Sequence, residues 1–363
     1  QNIQPYSQFT PVFTNLQAGS YTITVTNSDN CSDVCNQVIE VGTDIYDIQS
    51  IIQQNMGLPF TTNINYYGGG IIGDGYTLPV TVTWTAVSGN VDGIWYIPDG
   101  VTLIINNNAQ INFNPNAGII VQDGGELIVK HNSVLTDHCD EMWGGIYSHP
   151  ASQSHITIGE YATIENAIIG VDVGKYADLR VVDCDFINNW IDIKLFDMQL
   201  EPDIRDNDFE TNLQPFLPPK YYPFIHIRSE NNVFAEVNLE NNDFVNSTAF
   251  TNTILSQRGA GVYHNNKTIN IDNCTFTGLW YGIYSYGNTV VDNNTFTANN
   301  RGLWVGGSNS IAQILNSTFN VSNNGNNYNG ATFPYGVCVQ NCNNFEIEEN
   351  TFQDGFIGLA MIE

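Results

Sequence analysis

The chain has 363 residues, enough for one large or two ordinary domains, and carries 37 Asp and Glu against 10 Lys and Arg for a net charge of −27. Such an acidic surface repels phosphate backbones and argues against nucleic acid as a partner. No apolar run approaches the ~18 residues that a membrane-spanning helix needs, so no membrane insertion is expected. Charged residues are only 13% of the chain, and Asn, Thr, Ser and Gly supply the remaining polarity. Asn and Gly tolerate the left-handed backbone of tight turns, so the composition predicts many turns and little helix. The acidic excess suits solubility in a salty exterior or capture of Ca²⁺, which makes Ca²⁺ a candidate cofactor.

The first element is a strand beginning at Tyr21, where apolar and polar residues alternate strictly, and Val38–Val41 reads as another. Two or three strands cannot close a sandwich core alone. Residues 1–42 are therefore read as the C-terminal part of a β-sandwich. Residues 43–93 read as a connector and cap, with a short helix over Asp44–Gln54, a turn at Gly68–Gly70 and a β-rich stretch over Thr77–Val87. The opening residues Gln1–Gln4 lack the basic and apolar regions of a signal peptide, and Glu363 falls inside a repeat. The chain is thus expected to be a piece of something longer.

From about Ile94 a repeat dominates. An apolar residue, a few polar ones and a Phe recur at Val182 to Phe186, Leu239 to Phe244, Ile271 to Phe276, Val291 to Phe296, Ile314 to Phe319 and Ile347 to Phe352. Six positions after Phe276, Phe296 and Phe352 come Gly282-Ile283, Gly302-Leu303 and Gly358-Leu359; after Phe186 the same offset meets Asp192-Ile193 and the glycine is lost. Phe209, Phe244 and Phe319 reach His226-Ile227, Gly261-Val262 and Gly336-Val337 only after seventeen positions, so three coils carry an equal insertion at one corner. The shortest coil, Phe276 to Phe296, spans twenty residues. That length suits one turn of a solenoid with three short strands and is too short for helical repeats. Stacked coils would bury inward Ile, Val, Leu and Phe in one continuous core. The Asn before each Thr-Phe or Asp-Phe would form a ladder, its amide pairing with the backbone of a neighbouring turn. The fold class is therefore all-β: a solenoid over 94–363, continuing beyond the chain end, with a short N-terminal sandwich fragment.

Two resemblances extend this reading. The segment around Leu16–Thr26 and Cys31 resembles the end of immunoglobulin-like repeats in adhesins of gliding Bacteroidota, with Asn30 where Gly is usual. Residues 94–362, through Ile97–Ile104, Gly118–Leu127, Trp143–Ile146 and Ile164–Val171, resemble right-handed parallel β-helix domains of secreted surface proteins from the same bacteria. The resemblance implies an extracellular, cell-surface location, export by type IX secretion, and an adhesive or structural role. The implied partners are a surface glycan or protein, or other copies of the chain.

Catalytic alternatives rest on carboxylates. A glycosidase needs two about 5–10 Å apart, and Asp183, Asp185, Asp206 and Asp208 lie near the Phe corner of successive coils. The signatures of pectin-hydrolysing relatives are absent, and Arg180, Arg205 and Arg228 show no spacing that marks a lyase base. A polysaccharide lyase or hydrolase acting on an acidic polysaccharide, and a non-catalytic glycan-binding module, remain as alternatives. The six His residues form no metal-binding pair and are expected to be satisfied or solvated. Among the seven Cys, the close pairs Cys31–Cys35 and Cys338–Cys342 are candidate disulfides, Cys139 and Cys184 a further one, and Cys274 reads as a small buried core residue. Aromatic residues are the remaining binding cue: Tyr221 and Tyr222 on a proline-rich insertion, and Trp280, Tyr284 and Trp304 on adjacent short coils.

Overall fold

The computed structural model describes residues 19–26, 32–39, 70–73, 78–85, 88–115, 117–138, 142–148, 152–212, 225–232, 235–247, 259–308, 310–321, 334–353 and 357–362, the first two segments as backbone only. The chain forms two compact units, residues 1–51 and 52–363. In the first, strands Gly19–Thr26 and Ser32–Ile39 pair antiparallel, Ile23 opposite Cys35. The alternating strand from Tyr21 is therefore present. The expected helix over 44–54 and the Cys31–Cys35 pairing lie outside the described residues.

The second unit is a parallel solenoid. Each coil contributes three short strands, and every described pairing between coils is parallel. Strands stack along three faces. The third face is a separate sheet of twelve strands running from Gly70–Ile71 to Ile357–Ile362. The first and second faces merge into one twenty-stranded sheet, because His155–Glu165 and Asp178–Ile187 run unbroken round the corner between them. The parallel stack starts one coil earlier than the repeat suggested. Val80–Thr85 and Ser88–Val91 pair in register with Val101–Asn106 and Gln110–Phe113, so they stack as a coil of the solenoid.

The Phe residues define the register. Phe186, Phe209, Phe244, Phe276, Phe296, Phe319 and Phe352 are paired coil to coil along the second face. Their rings stack at centroid separations of 5.2, 4.9, 4.8, 4.8, 4.5 and 5.3 Å. Such pairs add about 0.5–1.5 kcal/mol each beyond area burial. On the third face Ile193, Ile227, Val262, Ile283, Leu303, Val337 and Leu359 follow in register. The six- and seventeen-residue offsets thus reach the same inward position, and all three insertions leave and re-enter the coil at one corner. The insertions themselves lie outside the described residues. One apolar partner shifts by a residue: Val181, not Val182, aligns with Ile204 and Leu239.

The turn before each Phe explains the Asn-rich composition. Asp183, Asp206, Asn241, Asn273, Asn293, Asn316 and Glu349 occupy left-handed backbone, with φ from +47° to +59°, which Asn and Asp tolerate best among residues with a side chain. The next residue points inward and builds the expected ladder. The Asn207 carboxamide oxygen accepts the Cys184 N–H at 3.1 Å, and that of Asn242 accepts the Asn207 N–H at 3.0 Å. Asn294 accepts the Cys274 N–H at 2.8 Å, and Asn350 accepts the Ser317 N–H at 2.9 Å. The amide nitrogens of Asn207, Asn242, Asn294 and Asn350 donate back to the carbonyls of Val181, Ile204, Ile271 and Ile314. Cys274 takes a ladder place, its sulfur accepting the Asn242 N–H at 3.4 Å, so it does more than fill space.

At the last described coil the same inward positions reach solvent: Phe352 and Leu359 are each 38% exposed, whereas Phe319 and Val337 are fully buried.

Candidate functional site

The third face carries the aromatic residues. Along Ala260–Asn266, Tyr281–Ser285, Arg301–Gly306 and Tyr335–Gln340, the alternation that turns Val262, Ile283, Leu303 and Val337 inward turns Tyr263, Tyr284, Trp304 and Cys338 outward in register. Tyr263 and Tyr284 stack at 5.9 Å, Tyr284 and Trp304 at 4.5 Å. Tyr286 stands edge-on to Trp304 at 4.8 Å, and its hydroxyl meets that of Tyr284 at 2.7 Å. Burial and that hydrogen bond push the Tyr284 phenol well up. The Trp304 indole lies across the Cα of Gly306, a seat that any larger residue would fill.

Both faces of the Tyr284 ring are taken by neighbours, so it offers an edge and a hydroxyl and not a flat sugar platform. Tyr286, 42% exposed, is the most open of the group. Tyr284 and Trp304 are thus brought together, and Trp280 joins them through Tyr281, whose ring lies 6.1 Å from Trp280 and 4.8 Å from Tyr284, whereas Tyr221 and Tyr222 lie outside the described residues.

A parallel column begins each strand of this face: Ala260, Tyr281, Arg301 and Tyr335. Sequence reading passed over Arg301. Its guanidinium carbon lies 4.7 Å from the Tyr281 ring centre, 4.8 Å from Trp280 and 5.5 Å from Tyr335. Burial lowers its pKa from the usual arginine value. Arg180, Arg205 and Arg228 each form a salt bridge; among the described residues Arg301 forms none.

The carboxylates expected at the Phe corner separate into two sets. Asp185, Asp208 and Asp243 stack in register on the outer side of the second face. Burial first, and then the charge of Glu210, raises the Asp185 pKa; burial, then Asp243, Asp185 and Glu210, raises that of Asp208. Asp183 and Asp206 sit instead at the left-handed turn, Asp206 held by Arg205 at 3.3 Å. Among the described residues no group of three or more His, Cys, Asp and Glu is arranged to hold a metal ion.

The cysteine expectations need correction. Cys338 and Cys342 are both free. Cys338 lies in the outward row with Trp304, while Cys342 turns toward the core and points its sulfur at the Val305 carbonyl, 3.7 Å away. Cys184 is likewise free, in the ladder, so it does not pair with Cys139.

His131, His155, His226 and His264 are hydrogen-bonded as expected, whereas the buried His138 Nε2 departs from the expectation, with no hydrogen-bond partner among the described residues; one of the four is unusual. Asp192 and His226 stand where other coils have glycine, each 1% exposed, with His226 Nδ1 2.5 Å from Asp192 Oδ2. Asn189 donates a second bond to Asp192 at 2.8 Å. Burial raises the Asp192 pKa, and His226 partly offsets it. The pair's only trace in the sequence is the lost glycine at two successive coils.

Residues 204–362 match the family model described as right handed beta helix region. No curated protein matches the chain. Among solved structures, the Agl-KA catalytic domain is similar at 13% identity and a TM-score of 0.26, over 89% of this chain and 66% of that one. A likeness of that score carries no weight for fold or chemistry. The parallel ladders, described from Gly70–Ile71 to Ile357–Ile362, and the family model over residues 204–362 agree on the architecture, a right-handed parallel β-helix.

Proposed function

We propose that the chain is an extracellular structural and adhesive module of a bacterial surface protein, and that the aromatic third face is its contact surface. The observation that carries this reading is the outward group Tyr263, Tyr284, Tyr286 and Trp304 on three consecutive coils, beside Trp280 and Tyr281. Aromatic residues with polar tips are enriched at interfaces, because each combines a large contact area with a hydrogen-bonding end. A solenoid suits the role mechanically, since its coils are tied to one another by parallel ladders, joined in the later coils by the amides of Asn207, Asn242, Asn294 and Asn350. The implied partner is a surface glycan or protein, or a second copy of the chain. The test is retention of the chain on polysaccharide-coated and protein-coated surfaces, with self-association followed by sedimentation. Trp304→Ala and Tyr286→Ser should remove whichever interaction is found; an undiminished interaction would place the contact elsewhere.

A second reading, a glycoside hydrolase, draws on the Asp185, Asp208 and Asp243 row. Carboxylates with raised pKa beside ionised ones are what general acid–base chemistry uses. Release of reducing ends from an acidic polysaccharide, abolished by Asp208→Asn, would support it and displace the adhesive reading.

A further inference from the structure

We infer that Arg301 is the anion-binding centre of the third face and that its ligand is a glycan bearing a carboxylate or sulfate group, a proposal that rests on reading this face as the contact surface. Two observations converge. First, among the described residues Arg301 has no carboxylate partner, in a chain of net charge −27, and the titratable groups that influence it are Tyr335 and Cys338, with no Asp or Glu among them. On the same face Lys194 is taken by Asp172 at 2.8 Å and Arg228 by Glu230 at 2.9 Å. Second, Trp280, Tyr281 and Tyr335 surround the guanidinium at 4.7–5.5 Å. Partial desolvation of this kind strengthens a charge-assisted bond to an incoming oxyanion, and the planar fork of arginine matches carboxylate and sulfate oxygens. Its Nε is buried and has no hydrogen-bond partner among the described residues.

A glycan fits better than an acidic peptide. The strands of Tyr281–Ser285 and Arg301–Gly306 are hydrogen-bonded on both sides, so no edge is open for strand addition, the usual way an extended peptide binds a sheet. What this part of the face offers is side chains alone: ring edges, the Tyr284 and Tyr286 hydroxyls, and the Arg301 guanidinium, which unlike that of Arg228 has no carboxylate partner among the described residues.

The experiment is interferometry of the full 363-residue chain over immobilised oligogalacturonate, chondroitin sulfate, neutral galactan and polyglutamate. Binding to oligogalacturonate or to the sulfated glycan, at least about tenfold tighter than to galactan, is expected, and which of the two binds identifies the anion. Arg301→Met should weaken it about ten- to hundredfold, the range of a lost charge-assisted bond, with Arg301→Lys in between and both variants melting as wild type. If Arg301→Met fails to fold, the Arg301→Lys loss carries the test, because a point charge cannot reproduce the fork. Equal binding to galactan, binding to polyglutamate alone, no binding to either anionic glycan, or no loss in Arg301→Lys and Arg301→Met would overturn the proposal. Loss of glycan retention in Trp304→Ala but not in the Arg301 variants would refute the anion centre and leave the contact face standing; no loss in either would refute both.

Discussion

Replacing Gly282 by alanine should destabilise the solenoid by about 3 kcal/mol, at the upper end of the range for overpacking a filled core. Its backbone is not left-handed, so the penalty is steric. A Cβ at this position would lie 2.6 Å from the Gly302 carbonyl oxygen, 2.6 Å from Phe296 Cδ1 and 2.8 Å from Cε1. To reach an ordinary contact of 3.4 Å the ring would have to retreat by about 0.8 Å. Phe296 cannot move along the stack, because Phe276 and Phe319 hold it at 4.8 and 4.5 Å. Gly358 provides the internal control: at the last described coil the same Cβ meets nothing nearer than 3.3 Å, so Gly358→Ala should change stability by less than about 0.5 kcal/mol. Urea unfolding of the two variants and wild type measures the difference. Phe296→Ala should relieve much of the Gly282→Ala penalty in a double-mutant cycle, since it removes the obstructing ring. Equal effects of Gly282→Ala and Gly358→Ala, or strict additivity with Phe296→Ala, would refute the argument that ring stack and glycine column are one packing unit.

Three further outcomes follow from buried polar groups. Asn242→Ala leaves the Asn207 N–H and the Ile204 carbonyl without side-chain partners; it should lose about 2–4 kcal/mol in a denaturant titration, and a change below about 1 kcal/mol would remove the ladder as a source of stability. Asp192 has a raised pKa, so its contribution to stability is fully present below its ordinary pKa near 3.8 and is lost as pH rises through the raised value. Asp192→Asn should therefore gain in melting temperature relative to wild type as pH rises through that interval, and parallel pH profiles would contradict the buried-carboxylate account. Alkylation of the unfolded, unreduced chain should label Cys184, Cys274, Cys338 and Cys342, all free thiols; protection of Cys338 and Cys342 together would restore the disulfide.

Much of the fold was legible because the repeat's landmarks follow directly from solenoid geometry. A ring every coil, an Asn two residues before it and a glycine beside the next ring are each required by a neighbour one coil away. Where those landmarks are missing the reading stopped short. In the Phe column the earlier coils carry Gly89, Ile111, Leu135 and Ile164, ordinary strand residues with no periodic signature, so the repeat is legible only from about Ile94. The cysteine pairs failed for a related reason: four residues apart in sequence says nothing of which side each thiol faces once a strand ends and a turn begins. The aromatic group was visible as Trp280, Tyr284 and Trp304, but Arg301 was not. Its significance lies in what surrounds it across three coils, which spacing along one coil does not reveal. Asp192 and His226 were visible only as two missing glycines, and their pairing 34 residues apart needed the register.

The contact-face claim is tested most directly by adhesion of chain-coated beads to glycan and bacterial-cell surfaces, comparing substitutions on two faces of the same coils. Tyr284→Ser, Tyr286→Ser and Trp304→Ala together alter the third face; Thr295→Ser, Thr297→Ser and Thr318→Ser alter the outer side of the second, where these threonines follow the register of the Phe stack. The account predicts that the first set abolishes adhesion and the second leaves it unchanged, with both sets melting cooperatively. Adhesion that survives the first set and is lost with the second would contradict it.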